Sequence, residues 1–428
     1  MESTIVERAP GSGSAMRWSP ATRVAFRFFF SYFFLTFILA WAISFVPFRG
    51  YLLVKYAELW YAIVVWLERH LLHTGYEVYQ LDGSAGISNT FYGTVVCCCC
   101  LAIAAVATAV WSALDRRRLQ YARLHQIFRY LLRFVLATIM IHYGVLKIIP
   151  VQMTSPPPFG ALTQPLGDLT RMRLLWLFTG ASPAYETLVG CAELLGAVLL
   201  LLPRTTLLGG VICAGNLSMV VVLNFCYDVH VKLIALHLLV MALLLVAPDV
   251  PRLADVFLFN RGTEPARTPP LFSNRWLDRA PHLFLLAFGL YSVVTGFQES
   301  WARYQKFHPP RPPLYGIWNV EELVVDGREL PADRSDRWRR LIFQIPGTLS
   351  ADLWTGTRER YTLGLDMKGR SMILGGPKTA RFSFAKPGED EMILEGVLDG
   401  HPARVKLRKM ALISKPFHWI FEAPKEDR

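Results

Sequence analysis

Up to about residue 300 the apolar residues of this chain come in long unbroken runs; beyond residue 313 they alternate with polar ones. A helix that crosses a bilayer needs about 20 consecutive, mostly apolar residues. Seven segments qualify: approximately 25–46, 90–114, 130–149, 184–202, 205–225, 230–247 and 280–297. The segment 51–72 is rich in Tyr and Trp but carries Lys55, Glu58, Glu68 and Arg69, so it reads as an amphipathic helix lying in the membrane interface. From Leu314 the period is two, as in Trp318-Asn319-Val320-Glu321, which marks strands with one buried face. Nine short runs of this kind, the last at 417–421, are divided by hairpin-type pairs such as Asp326-Gly327, Lys368-Gly369 and Asp399-Gly400. The predicted fold class is a membrane all-α bundle of about seven transmembrane helices, followed by a small antiparallel β-barrel or sandwich. The predicted organisation is a tail (1–24), a membrane domain (25–300), a proline-rich linker (301–313) and a β domain (314–428).

Composition supports the membrane assignment: 53% of the 428 residues are hydrophobic and 18% charged. A net charge of +12 raises nucleic acid as a partner. The arginines instead flank the apolar segments, as they do in cytoplasmic loops, so the expected partner is the lipid bilayer and not nucleic acid. With seven crossings, Arg8, Arg17, Arg23 and Arg27, the Arg116–Arg129 cluster, Arg204 and the 252–279 arginines all fall on one side. That predicts a cytoplasmic N-terminus and a β domain outside the membrane. The first apolar run is too long for a signal-peptide core and lacks a small-x-small cleavage site, so it reads as an uncleaved anchor. Four of the seven cysteines are consecutive, Cys97 to Cys100. Neighbours on a helix point about 100° apart, so four in a row do not converge on one metal. They read as small apolar residues, with no zinc spacing and no disulfide framework.

Ionisable residues at bilayer depth cost several kcal/mol and mark sites. His142, Glu193 and His237 each lie in a different apolar run. At ~1.5 Å of rise per residue they sit ~12 to ~13 Å below the expected outer boundary, with Asn216 at ~15 Å. A second layer, nearer that boundary, contains Lys147, Glu186, Asn224, Asp228, His230 and Lys232. Glu186 and Glu193, like His230 and His237, are seven residues apart and share a helix face, and Tyr143 and Lys147 are four apart. These stripes predict a polar cleft open to the outer face. Glu193, His237, His142 and Lys147 are its candidate catalytic groups, and Tyr143, Asn216, Asn224, Glu186 and His230 its candidate ligand-binding groups. The outer loop 150–183, with Pro156-Pro157-Pro158 and an amphipathic stretch at 171–178, is expected to form a lid over it.

His142-Tyr143-Gly144-Val145-Leu146-Lys147 resembles the Gly-x-x-Lys helix end of the DoxX-like membrane family. Gly190-Cys191-Ala192-Glu193-Leu194-Leu195-Gly196, followed by Leu201-Leu202-Pro203-Arg204, resembles that family's Glu-x-x-Gly helix. The resemblance covers about 133–249, a quarter of the chain, through short motifs; three further spans and the outer β domain exceed the four-helix core of the family. It implies a bacterial inner-membrane protein with Lys147 and Glu193 as site residues, linked to redox chemistry of the thiosulfate:quinone oxidoreductase kind. Gly316-Ile317-Trp318 is similar to the Gly-x-Trp signature of lipocalin-like domains, which implies a barrel with Arg404 or Arg408 packed on the tryptophan. The expected function is a redox- or quinone-linked membrane component that binds a small apolar or sulfur-containing molecule, with a partner subunit. Other classes stay open: a lipid or small-molecule transporter, an anchor presenting a ligand-binding β domain, and a haem or metal site built on His142 and His237. No P-loop, dinucleotide fingerprint, Gly-x-Ser-x-Gly or HExxH is present, so whether the chain is an enzyme is left open.

Overall fold

A computed structural model describes residues 18–78, 89–153, 157–265, 270–331 and 334–412. The expected strand at 417–421, Pro156, and Arg8, Arg17 and Arg267 lie outside the described residues. Two compact units divide the chain: Met1–Met153 with Arg171–Ala302, and Thr154–Thr170 with Arg303–Arg428.

Among the described residues eight helices, the seven expected and one more, are long and apolar enough to cross a membrane. They are α1 (Pro20–Ser44), α2 (Arg49–Leu72), α3 (Phe91–Leu114), α4 (Ala122–Ile148), α5 (Pro183–Leu201), α6 (Pro203–Cys226), α7 (Lys232–Phe257) and α8 (Arg275–Phe307). The additional one is α2, whose mean hydropathy of 1.2 is the lowest of the set, against 2.4 for α3 and α7. Its aromatic and aliphatic residues outweigh its five charges, yet only Trp60 and Val64 are buried.

Helices α4 to α7 form an up-and-down four-helix bundle in which each packs on the next and α7 returns to α4. Short connections enforce the antiparallel order: a 3₁₀ turn at Pro203–Thr205, and a turn through Asp228, at φ 54°, between α6 and α7. Leu136, Val145, Ala197, Leu200, Cys213, Met241 and Leu245 are fully buried at the centre. Helix α8 runs beside α4, with the Tyr130 hydroxyl donating to the Pro281 carbonyl and Gly296 next to Val145. Helices α1 and α3 pack against each other in opposite directions, since Arg27 bonds Ser112 near the end of α3 while Tyr32 meets Cys97 near its start. Several arginines are more than loop charges. Arg27, 4% exposed, also bonds Tyr121 and the Asp115 carbonyl, and Arg133, 6% exposed, donates twice to the Leu200 carbonyl, at 3.0 and 2.8 Å. Both guanidinium groups satisfy carbonyls that a helix end leaves without intrahelical partners.

The second unit is a closed eight-stranded antiparallel barrel, which decides between the barrel and the sandwich. Its strands are β1 (Gly316–Val325), β3 (Trp338–Phe343), β4 (Thr348–Leu353), β5 (Arg358–Asp366), β6 (Ser371–Gly375), β7 (Ala380–Ala385), β8 (Glu391–Leu398) and β9 (His401–Lys409), with the short β2 (Arg328–Glu329) paired to the end of β1. Each pairs with the next, and β1 closes on β9 across a bulge between Val320 and Glu322. Asp399-Gly400 turns with φ 50° and 87°, the left-handed pair that a two-residue hairpin requires. Inward residues alternate along the strands, as Ala380, Phe382 and Phe384 do on β7. Trp318, Trp338, Phe343, Tyr361, Met372 and Phe382, none more than 2% exposed, fill the interior. The Trp318 indole donates to the Leu314 carbonyl at 3.0 Å. The expected arginine on its ring is replaced by Lys386 and Lys409, 5.8 and 5.9 Å away, because Arg404 pairs with Glu395 and Arg408 with Glu321 and Glu391.

Residues 157–170, expected as part of a lid over the membrane cleft, belong to the barrel unit. Phe159 is buried against Tyr315, ring centroids 4.8 Å apart, and its amide donates to Gln344 at 3.0 Å. Thr163 donates to Asp352 at 3.0 Å, and Arg358 joins Asp352 at 2.6 Å to the Gly160 carbonyl at 3.2 Å.

Candidate functional site

The site is built where α4 crosses α5. Ser182 caps α5, accepting from the Tyr185 amide at 3.3 Å, and Pro183 opens the first turn; this start puts Glu186, Gly190 and Glu193 on one face. Gly144 and Gly190 let the two backbones touch. A Cβ on Gly190 would lie 2.6 Å from the Gly144 carbonyl oxygen and 2.7 Å from the Ile148 nitrogen. A Cβ on Gly144 would lie 3.0 Å from the Gly190 oxygen and 3.0 Å from the Leu194 nitrogen. Small residues at such crossings are the usual device for close helix packing in membranes.

That contact brings Lys147 Nζ to 2.7 Å from Glu193 Oε2, with side chains only 9% and 4% exposed. The ammonium also lies 5.5 Å from the centre of the Tyr143 ring. Two such groups held so far from water are stabilised there only by mutual attraction and good geometry. Glu186, on the same face, is 0% exposed. Its Oε1 accepts from the Met153 amide at 3.1 Å, while Oε2 has no hydrogen-bond partner among the described residues. Gln152 Oε1 is also buried and unpartnered there. The result is a string of one ammonium donor and several acceptors between two helices: Lys147 has N–H groups left for an acceptor, and the two carboxyl groups can pass a proton.

The remaining predicted residues distribute differently. His237 is 6% exposed and stands with α1 and α3: Nδ1 is 2.5 Å from the Leu233 carbonyl and Nε2 2.5 Å from the Tyr32 hydroxyl. With both ring nitrogens engaged, an axial-ligand role does not fit it. His142 is exposed on α4 with its ring 5.6 Å from Tyr143, and His230 is exposed in the turn before α7. Asn224 is buried and closes that turn onto the Val231 carbonyl at 3.4 Å, a structural bond. Asn216 is half-buried, with Nδ2 unpartnered among the described residues. Among those residues no group of three or more His, Cys, Asp or Glu is placed to hold a metal. Tyr32 and Cys97 were missed by the sequence reading, because one sits in an aromatic run and the other in a run of cysteines read as packing.

No family model matches the chain, and no solved structure matches it. It is 34% identical over 127 residues to the uncharacterised protein YwoB of Bacillus subtilis (strain 168), an alignment that spans 29% of this chain and 79% of that protein. By that identity and coverage, this chain belongs to the family of Bacillus subtilis YwoB.

Proposed function

We propose that this chain is a DoxX-like integral membrane component of quinone-linked redox chemistry, with its working site at the α4–α5 crossing. The observation that carries the proposal is the buried Lys147–Glu193 pair, with its 2.7 Å contact set by two glycines. A quinone, when bound, supplies two-electron, two-proton chemistry. An ammonium has three N–H donors, and the bond to Glu193 uses one, so Lys147 offers hydrogen bonds to a carbonyl oxygen. Glu193 holds or releases a proton beside that oxygen. Glu186, about 10 Å along the same helix face, accepts or returns the proton nearer the end of the helix. Tyr143 shields the ammonium. A quinone fits this donor set because its ring is apolar and its recognisable atoms are acceptors.

The same unit also supports a reading of the side of the membrane. Because α1 and α3 run antiparallel, the end of α1 and the start of α3 share a side. Tyr61 lies 6.4 Å from Tyr92 and Tyr76 stacks 5.6 Å from Phe91, so α2 also ends at the start of α3. This supports α2 as a helix that adds no net crossing. Seven crossings then gather the arginines on the cytoplasmic side and put the residues after α8 outside. The packed interior of the barrel counts against its carrying a lipid.

Binding of a short-chain quinone to the purified protein tests the proposal. Wild type binds, Glu193→Gln and Lys147→Met lose at least tenfold in affinity, and Gly215→Ala does not. Folded wild-type protein that binds no quinone, or variants that bind it equally, would refute it.

A further inference from the structure

Away from the α4–α5 crossing, three polar side chains from three helices meet inside the membrane unit: Tyr32 of α1, Cys97 of α3 and His237 of α7. Their hydrogen bonds have a direction. The Leu233 carbonyl only accepts, so His237 Nδ1 carries the proton and Nε2 is left to accept from the Tyr32 hydroxyl. The tyrosine oxygen then accepts from the Cys97 thiol, 3.1 Å away. A thiol proton therefore has a route from Cys97 through Tyr32 to His237. The rings of Phe33 and Phe37, with centroids 6.3 and 5.7 Å from the imidazole, line it. The route lies beside a π-helical turn at Phe34–Ile38, a distortion frequent at functional sites.

Cys97 also has a sulfur partner. Cys100, one helical turn on, is buried with it, whereas Cys98 is exposed. Residues three apart on a helix have Cβ atoms about 5–6 Å apart, and a disulfide needs about 4 Å. The Cα atoms of residues three apart on an α-helix are about 5 Å from each other, inside the range a disulfide spans, so a local shift of that one turn closes the difference. A bond made under such strain is readily reduced again. Packing alone explains neither the tyrosine nor the histidine, since burying their polar atoms in an apolar core gains nothing over phenylalanine or leucine.

We propose that Cys97 and Cys100 form a two-electron dithiol couple whose first proton is taken by Tyr32 and His237. The proposal rests on the redox function above, which supplies a lipid-soluble quinone as oxidant. The S–H bonds of both cysteines break and one S–S bond forms. Two electrons and two protons pass to the quinone, whose two carbonyls become hydroxyls. The Cys97 proton leaves through the Tyr32 hydroxyl to His237 Nε2, the Cys100 proton is released as the S–S bond closes, and the quinone takes up two protons as its carbonyls are reduced.

The test uses the full-length protein in lipid, reduced and then treated with a short-chain quinone or with diamide, an oxidant that needs no quinone site. Free thiols are alkylated after denaturation and the linked peptide is identified by mass spectrometry. Wild type and the Cys98→Ser/Cys99→Ser variant should both form the Cys97–Cys100 link with either oxidant. Tyr32→Phe and His237→Gln should slow the quinone reaction by about a hundredfold or more, the usual weight of a positioned proton acceptor, while excess diamide still closes the bond. Closure by diamide but not by quinone would keep the dithiol couple and overturn the quinone assignment. No Cys97–Cys100 link with either oxidant would overturn the couple itself, and equal quinone rates in wild type, Tyr32→Phe and His237→Gln would overturn the proton route.

Discussion

Gly190→Ala sets a methyl group 2.6 Å from the Gly144 oxygen and 2.7 Å from the Ile148 nitrogen, and neither backbone atom can rotate away. Comfortable carbon contacts begin near about 3.5 Å, so α4 and α5 must part by roughly an ångström. The Lys147–Glu193 bond, now 2.7 Å, would stretch to roughly 3.5 Å, the limit of a real hydrogen bond. Overpacking of this kind costs about 1–3 kcal/mol, less up to about 1 kcal/mol returned by the better helix propensity of alanine. At about 2–4 °C per kcal/mol for units of this size, the melting temperature of the membrane unit should fall by several degrees. The control is Gly215→Ala on α6, where an added Cβ meets nothing within 4 Å. It should leave the melting temperature unchanged or raise it slightly. Thermal unfolding of both variants in one detergent reads the difference. A Gly190→Ala protein as stable as Gly215→Ala would refute the claim that backbone contact sets the site.

Lys147→Met and Glu193→Gln each strand a buried partner and should cost about 3–5 kcal/mol, whereas the double change should cost far less than their sum; additive losses in a denaturation cycle would show that the pair is not coupled. Trp318→Ala removes the largest plug of the barrel and should cost about 3–5 kcal/mol, read as a lower denaturant midpoint for the barrel transition. Burial, reinforced by its bond to Glu359, pushes the Tyr361 hydroxyl above its ordinary value near 10. An unfolded tyrosine therefore ionises first: barrel stability is unaffected below about pH 10 and falls above it by at most about 1.4 kcal/mol per pH unit. Tyr361→Phe should flatten that alkaline loss, and an unchanged alkaline slope in the variant would count against the assignment.

Much of this was legible because it depends on local periodicity. Apolar runs near 20 residues and a period of two are written residue by residue, and so are the turns at Asp326-Gly327 and Asp399-Gly400. The ambiguity of α2 was also visible, since the four charges of segment 51–72 and its aromatic residues pull in opposite directions. Glu193 and Lys147 stood out because charge inside an apolar run has no local explanation.

Partnership was not legible, because it is decided by which helices touch. Three ionisable residues at matched depth suggested one cleft floor, and depth is all that spacing along a helix measures. Which way each side chain faces around the bundle depends on the glycine crossing of α4 with α5, which gives Lys147 to Glu193. It depends equally on the seating of α1 between α3 and α7, which gives Tyr32 to His237 and brings Cys97 to both. The strap at 157–170 is the same case, for Phe159 and Thr163 show no pattern until Tyr315 and Asp352 are folded beside them. The sequence by itself determined the two kinds of unit and the residues that cost energy to bury. Only the tertiary structure decided how each cost is met, because hydrogen bonds and ion pairs between distant segments exist only after packing has chosen the neighbours.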